Sequence, residues 1–211
     1  MTGAILLTRP TGRNEELAAI LETAGFEVVI EPLVVIEPID GGPVDLHGYD
    51  WLVLTSATGA RLLRQRVRGE ASRVAAIGAA TAAAWTGPVD LVPAVATQEG
   101  LLAELPQPAG RVLFAGAEGA RPLLAATLGA DVVVLYRTVP IRAATLPPAR
   151  LAVLASPSAA RALAAAERGV AVVSIGPETS RAAREQGLDV VAEAATPDAD
   201  GLAAAVLAAA R

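Results

Sequence analysis

The chain has 211 residues, a net charge of −5, no cysteine and one histidine, and its 53% hydrophobic content comes from Ala, Val and Leu, not from aromatics. The length suffices for one large or two small cored domains, and the charge argues against a nucleic-acid groove. The missing Cys excludes disulfides and thiolate chemistry, and the lone His47 excludes most multi-histidine metal sites. No apolar run reaches membrane length unbroken by Gly, Pro or charge, and Met1-Thr2-Gly3 opens no signal peptide, so a cytoplasmic protein with no membrane partner is expected. An acidic small molecule stays compatible with this charge, because helix-start amides and a few Arg suffice to hold it.

Residues 4–8 form an apolar strand run that breaks at Arg9-Pro10. Over 15–23, Leu17, Ala18, Ile20 and Leu21 recur at helical spacing and the run stops at Gly25. Residues 26–35 read as a second strand, interrupted at Glu31-Pro32, and the Pro-, Gly- and Asp-rich stretch 36–48 reads as a linker or turn without packed elements. Trp51-Leu52-Val53-Leu54 is a strand ending at Thr55-Ser56, followed by a helix through Arg61 to Gln65. Residues 74–77 are the next strand, turning at Gly78 into a helix over 81–85. Leu91-Val92-Pro93 is a short third strand, and Thr97-Gln98-Glu99-Gly100 opens a helix ending near Leu105.

The pattern then restarts with a strand over 111–115, the turn Gly116-Ala117-Glu118-Gly119, a helix through Leu123 and Leu128, and a strand over 132–136. A Pro-rich linker, 140–148, leads to a strand at 151–155, the turn Ser156-Pro157-Ser158 and a helix at Arg161. Val173-Ser174-Ile175 turns at Gly176-Pro177 into a helix read over 181–187. Proline suits a first helical turn, and the free amides there with Thr179 make an anion-receptive junction.

Strand–helix–strand pieces (X) thus alternate with longer pieces (Y), and the pieces repeat. Ser56 and Arg61 match Ser156 and Arg161 at an offset of 100; Ile77, Gly78 and Thr81 match Ile175, Gly176 and Thr179 at 98. Glu99-Gly100-Leu101 matches Asp200-Gly201-Leu202 at 101, and Gly12 and Leu17 match Gly119 and Leu124 at 107. Alternating strands and helices predict an α/β fold with parallel sheets, and one X plus one Y supplies five strands, a doubly wound, flavodoxin-like lobe. Two such lobes fit the length. Consecutive halves are one grouping. The preferred one joins 1–36 with 146–211 and leaves 37–140 as the other lobe, with crossings near 34–40 and 137–146, where the linkers fall.

Doubly wound sheets bind ligands at the carboxyl ends of their strands. Arg9, Thr55, Ser56, Gly78, Thr81, Gly116, Ser156, Pro157, Gly176 and Thr179 stand there, and Arg121 lies close to the Gly116 turn. Each hydroxyl alone reads as a helix cap; together they outline two rims of anion-binding turns. The Gly116 turn lacks both the Walker lysine and the dinucleotide glycine spacing. Thr8-Arg9-Pro10 offers no paired Asp for phosphotransfer, no serine-hydrolase elbow occurs, and no metal constellation appears. Tyr136, where a strand enters a linker, reads either as a packed interface ring or as a phenol donor.

These pieces resemble the uroporphyrinogen-III synthase family over essentially the whole chain. The matching motifs are Leu7-Thr8-Arg9-Pro10, Tyr49-Asp50-Trp51, Leu54-Thr55-Ser56, Ile77-Gly78 with Thr81-Ala82, Glu99-Gly100-Leu101-Leu102, Tyr136-Arg137-Thr138, Ser156-Pro157-Ser158 and Ile175-Gly176-Pro177-Glu178-Thr179. The resemblance implies two α/β lobes joined by a two-stranded connector. It also implies cyclisation of hydroxymethylbilane to uroporphyrinogen III, with loss of water and inversion of ring D, without cofactor or metal. Amides and hydroxyls would line a cleft for the substrate's carboxylates, so that confinement supplies much of the catalysis. By matching position Tyr136 would assist departure of the hydroxyl, with Ser56, Thr81, Ser156 and Thr179 as hydroxyls of the cleft. Hand-over of the bilane from hydroxymethylbilane synthase and a monomeric state complete these expectations. Thr58 departs from the family's usual Asn or Arg, and Ala79-Ala80 from a bulkier or Pro-containing turn. The competing reading is a non-catalytic two-lobed binder of a small polyanion, since fold alone does not fix function.

Overall fold

The computed structural model describes residues 3–141, 145–166 and 169–210. The chain runs β1 (Ile5–Leu7), α1 (Glu15–Thr23), β2 (Val28–Ile30), β3 (Val34–Pro38), β4 (Val44–Asp45), β5 (Trp51–Leu54), α2 (Ala57–Arg64), β6 (Val67–Arg68), β7 (Arg73–Ala76) and α3 (Ala79–Ala84). It continues through α4 (Gln98–Glu104), β8 (Val112–Ala117), α5 (Leu123–Leu128), β9 (Asp131–Pro140), β10 (Leu151–Leu154), α6 (Pro157–Ala166), β11 (Ala171–Ser174), α7 (Pro177–Glu185), β12 (Val190–Glu193) and α8 (Ala199–Ala209). It divides into two units, 1–36 with 138–211 and 37–137, and β3 and β9 contain both points of division.

In the discontinuous unit the sheet order is β12-β11-β10-β1-β2, all parallel. Alternation along each strand sends side chains to opposite faces. Leu6, Ala152, Leu154 and Val172 pack with Leu163 of α6 and Ala183 of α7. Ile5, Leu7, Val153 and Val173 pack with Leu17 and Leu21 of α1 and with Leu202 and Val206 of α8. Both faces are covered, which is why β1 and β10 are apolar at every position, as parallel strands are. The chain places β2 on one side of β1 and returns to place β10 on the other. The sheet's switch point therefore lies between β1 and β10, and Thr8 Oγ1 donates to the Val153 carbonyl there at 2.6 Å.

The continuous unit has the sheet order β3-β9-β8-β5-β7, with β7, β5, β8 and β9 parallel. Beyond β7, Leu91 bridges Ala75. Trp51, Val53, Ala75, Val112 and Phe114 pack with Leu101 of α4 and Leu124 of α5. The order β9-β8-β5-β7-Leu91 repeats β2-β1-β10-β11-β12 place for place, so the X-and-Y periodicity reappears as two sheets of one arrangement. Counted along the chain, the discontinuous unit has the flavodoxin-like order 2-1-3-4-5 and the continuous unit, whose Y piece comes first, the doubly wound order 3-2-1-4-5. The switch point here lies between β5 and β8. Strand β3 runs antiparallel to β9: Ile39 N–H bonds the Leu135 carbonyl while Ile141 N–H bonds that of Leu33, both at 2.9 Å.

Several sequence expectations are corrected. The stretch 26–35 is not one strand. Pro32 lacks an N–H to extend the ladder, so β2 ends at Ile30 in one sheet and β3 begins at Val34 in another. The stretch 36–48 is not an unpacked linker: β3 runs to Pro38, β4 pairs with β6, and Leu46 is 1% exposed. Val67–Arg68, two residues long, leaves no periodic signal to read. Leu91-Val92-Pro93 makes a single bridge, since Pro93 and the turn after it stop propagation. Helix α7 begins at Pro177, four residues before the expected start, because Gly176 is its N-cap and proline fits N1. Of the second linker, residues 142–144 lie outside the described residues.

Candidate active site

The rim of the continuous unit is built where β5, β7, β8 and β9 end. Ser56 leaves β5 in an extended conformation and caps α2, its Oγ accepting from the Gly59 N–H at 2.9 Å. A Cβ at residue 59 would stand 3.0 Å from that oxygen, so glycine keeps the cap tight. The Tyr136 hydroxyl donates to the same Ser56 Oγ at 2.9 Å. A register shift between Gly116 and Ala117 sets Tyr136 opposite Ala117, and such irregularities re-aim side chains at the ends of sheets. The Tyr136 ring is buried, with 7% of the residue exposed. Beside this pair stands Gly116, where a Cβ would sit 3.1 Å from the Phe114 ring and 3.6 Å from Thr55 Oγ1. Thr55, Ser56, Gly116 and Tyr136 thus gather at the switch point.

Gly78 caps α3 without a side-chain acceptor, and Thr81, buried, sits in the helix's first turn with its N–H on the Gly78 carbonyl. Arg121 is engaged: its two terminal nitrogens grip both Glu99 carboxylate oxygens at 2.8 and 3.0 Å. This fork, aided by the backbone amide, pulls the Glu99 carboxyl down to about 2. A ligand carboxylate reaching Arg121 meets a competitor already seated. Tyr49 is no part of the rim; at the amino end of β5 its hydroxyl donates to Asp131 Oδ2 at 2.7 Å, under the Arg111 guanidinium.

The discontinuous unit carries the matching set. Ser156 caps α6, accepting from the Ala159 N–H at 3.2 Å, and its Oγ lies 3.0 Å from that of Ser158, with Pro157 opening the helix. Gly176 caps α7 without a side chain, and Thr179, 3% exposed, occupies the position that Thr81 holds in α3. Arg9 follows β1 at the switch point, and partial burial lowers its pKa against the pull of Glu16 and Glu15. It stays a cation, as arginine does in proteins. Both rims therefore repeat one plan: a serine-capped helix beside a glycine-capped helix whose first amides face no side-chain acceptor.

Thr8, read in sequence only as part of the Leu7-Thr8-Arg9-Pro10 motif, is buried and bonds across the switch point to Val153, a role the motif does not show. Asn14 escapes a reading of the sequence for motifs: buried, just before α1, it donates its amide to the Arg9 carbonyl at 2.9 Å, fixing the Arg9-Pro10 turn. Asn14 ahead of Glu15-Glu16 is a helix-start pattern that marks it in sequence. Gln98 reads in sequence only as part of a helix opening; its side chain bonds the Arg121 carbonyl and the Leu124 N–H, both at 3.3 Å.

A family model described as Uroporphyrinogen-III synthase HemD matches residues 15–204. The chain belongs to the uroporphyrinogen-III synthase family. It is 31% identical over 128 residues to the uroporphyrinogen-III synthase of Synechococcus elongatus, a stretch covering 52% of this chain and 48% of that protein. The matched stretch thus spans about half the length of that relative. Two solved structures share the fold. One is a mutant uroporphyrinogen III synthase from the extremely thermophilic bacterium Thermus thermophilus, with TM-score 0.67, 18% identity and coverage of 98% of both chains. The other is the uroporphyrinogen-III synthetase of Helicobacter pylori, with TM-score 0.65, 16% identity and coverage of 98% of this chain and 99% of that one. As in those structures of the family, the fold is α/β with parallel sheets.

Proposed function

We propose that the chain closes hydroxymethylbilane to uroporphyrinogen III, with loss of one water and inversion of ring D. In a chain of this family, the observation that carries the reading is the Tyr136-to-Ser56 hydroxyl pair at the switch point of a parallel sheet. The substrate's terminal hydroxymethyl C–O bond breaks with electron density from its own pyrrole, and the departing oxygen takes a proton to leave as water. A new C–C bond forms to the already substituted α-carbon of ring D. The bridge bond that carbon held then breaks and re-forms at the ring's free α-carbon, which inverts ring D and closes the macrocycle, and the proton lost as that pyrrole regains aromaticity balances the one taken up. Tyr136 would turn its one O–H, which donates to Ser56 Oγ in the free protein, to the departing oxygen.

The amides that follow the Gly78 and Gly176 caps, the hydroxyls of Thr55, Thr81, Ser156 and Thr179, the Gly116 turn and Arg9 would bind the substrate's carboxylates, with Pro157 shaping the opening of α6 and Arg121 reached only by displacing Glu99. This arrangement needs no acid–base pair of strongly shifted pKa. We also propose a cytoplasmic monomer that receives its bilane from hydroxymethylbilane synthase. Among the described residues no helix is long and apolar enough to cross a membrane. The test couples porphobilinogen, a deaminase and this protein, and separates the oxidised porphyrin isomers by chromatography. Type III is expected; type I alone, the product of unassisted closure, from folded protein would overturn the reading.

A further inference from the structure

A cavity of about 420 Å³ lies within the continuous unit at the amino end of β7, away from the carboxyl-end rim. Its floor includes Leu46 and Val74, its wall carries Trp85, and its charged residues are Arg64, Glu70, Arg73 and Asp90. Among the described residues none of these four charges forms an ion pair with a protein group. Asp90 commits one oxygen, Oδ2, to the Val74 N–H at 2.7 Å, and Arg73 rests on the Trp51 ring at 4.4 Å. Two cations and two anions around one cavity sum to zero, which selects against a simple anion and in favour of a ligand bearing one charge of each sign. The Nε1 edge of the Trp85 indole lies against Gly87, where a Cβ would stand 2.9 Å from Nε1, so glycine leaves room for the ring. A half-buried indole beside charged groups suits a flat apolar body with a polar end.

We propose that this cavity binds a small zwitterion of the α-amino acid class with a planar side chain. Its carboxylate would meet Arg64 and Arg73, its ammonium Glu70 and Asp90, and its ring Trp85. The volume falls in the range of small-molecule sites, roughly 300–1,000 Å³. Binding here is independent of the cyclisation reading and is measured without it.

The full-length protein is titrated with L-phenylalanine, phenylacetate and phenethylamine while the amide and indole N–H signals are followed by NMR. L-Phenylalanine is expected to move the Trp85 indole and Gly87 amide signals saturably. The two half-charged analogues should bind at least about tenfold more weakly, the scale of one lost hydrogen bond to a charged group. Arg64→Gln and Glu70→Gln, both at exposed positions and so compatible with folding, should each weaken L-phenylalanine about tenfold. Absence of saturable shifts, equal binding of phenylacetate, or variants that bind as well as the parent would each overturn the proposal.

Discussion

The pair Tyr136–Ser56 is the sharpest handle on the proposed site, and a double-mutant cycle measures it. Tyr136→Phe keeps the buried ring and removes one neutral hydrogen bond, which costs about 1 kcal/mol. Ser56→Ala removes the α2 cap, about 1 kcal/mol, and also strands the phenol O–H of a residue only 7% exposed, about 1 kcal/mol more. In the double variant no phenol is stranded, so its loss is about 2 kcal/mol while the single losses sum to about 3. A coupling of about 1 kcal/mol is therefore expected from urea denaturation of the four proteins. Additivity within about 0.3 kcal/mol would refute the claim that this hydrogen bond contributes. The same four proteins, assayed for the type III isomer where all are folded, separate stability from chemistry. Tyr136→Phe should reduce turnover well beyond its stability loss, and unchanged turnover would remove Tyr136 from the mechanism.

At Gly201 a Cβ would stand 2.2 Å from the Thr196 carbonyl oxygen, a backbone atom, so Gly201→Ala should destabilise by about 1–3 kcal/mol. The comparison is Gly187→Ala, where open surroundings leave only a left-handed φ of 77°, for about 1 kcal/mol; equal losses in thermal unfolding would defeat the crowding argument. The Glu99 carboxyl, held at about 2, sits below the usual unfolded value near 4.5. Its contribution to stability is therefore present above about pH 4.5 and is lost as pH falls toward 2. Carboxyl NMR of Glu99 should show the low midpoint in the parent and a return toward 4.5 in Arg121→Gln; an unmoved midpoint would show that Arg121 is not its cause. Thr179→Ala should weaken substrate binding by roughly 1 kcal/mol, seen in KM, if the hydroxyl assists the amides of α7. Unchanged kinetics would leave Thr179 a structural residue.

Alternation of apolar strands with helical spacings is enough to read α/β architecture and parallel sheets, because strands buried on both faces, such as Leu151-Ala152-Val153-Leu154, are apolar throughout. Repeat offsets make Ser56 with Ser156 and Thr81 with Thr179 legible as equivalents, and the structure gives each pair the same local role. Elements held by tertiary pairing are not legible. The two-residue strands β4 and β6 carry no period of their own, and β3 continues a run that sequence assigns to its predecessor. Nor does sequence show that Arg121 already holds Glu99, since that fork joins side chains 22 positions apart. The Tyr136-to-Ser56 bond spans 80 positions, and its geometry depends on a shift in β-sheet register that no local pattern encodes.

The place of β1 has a consequence for the growing chain. Ile5-Leu6-Leu7 pairs on one side with β2, made soon after it, and on the other with Leu151-Ala152-Val153, made last but for two strands. Between them the ribosome must deliver all of the continuous unit, whose own partners are near in sequence and free to assemble at once. At roughly 5–20 residues per second, an apolar strand waits on the order of ten seconds with one ladder edge open. Such an edge is a template for pairing with other chains. Nascent protein, before native protein, is thus where this architecture is exposed to aggregation, and slower elongation between β2 and β10 should lower soluble yield even though every residue of the finished molecule is unchanged.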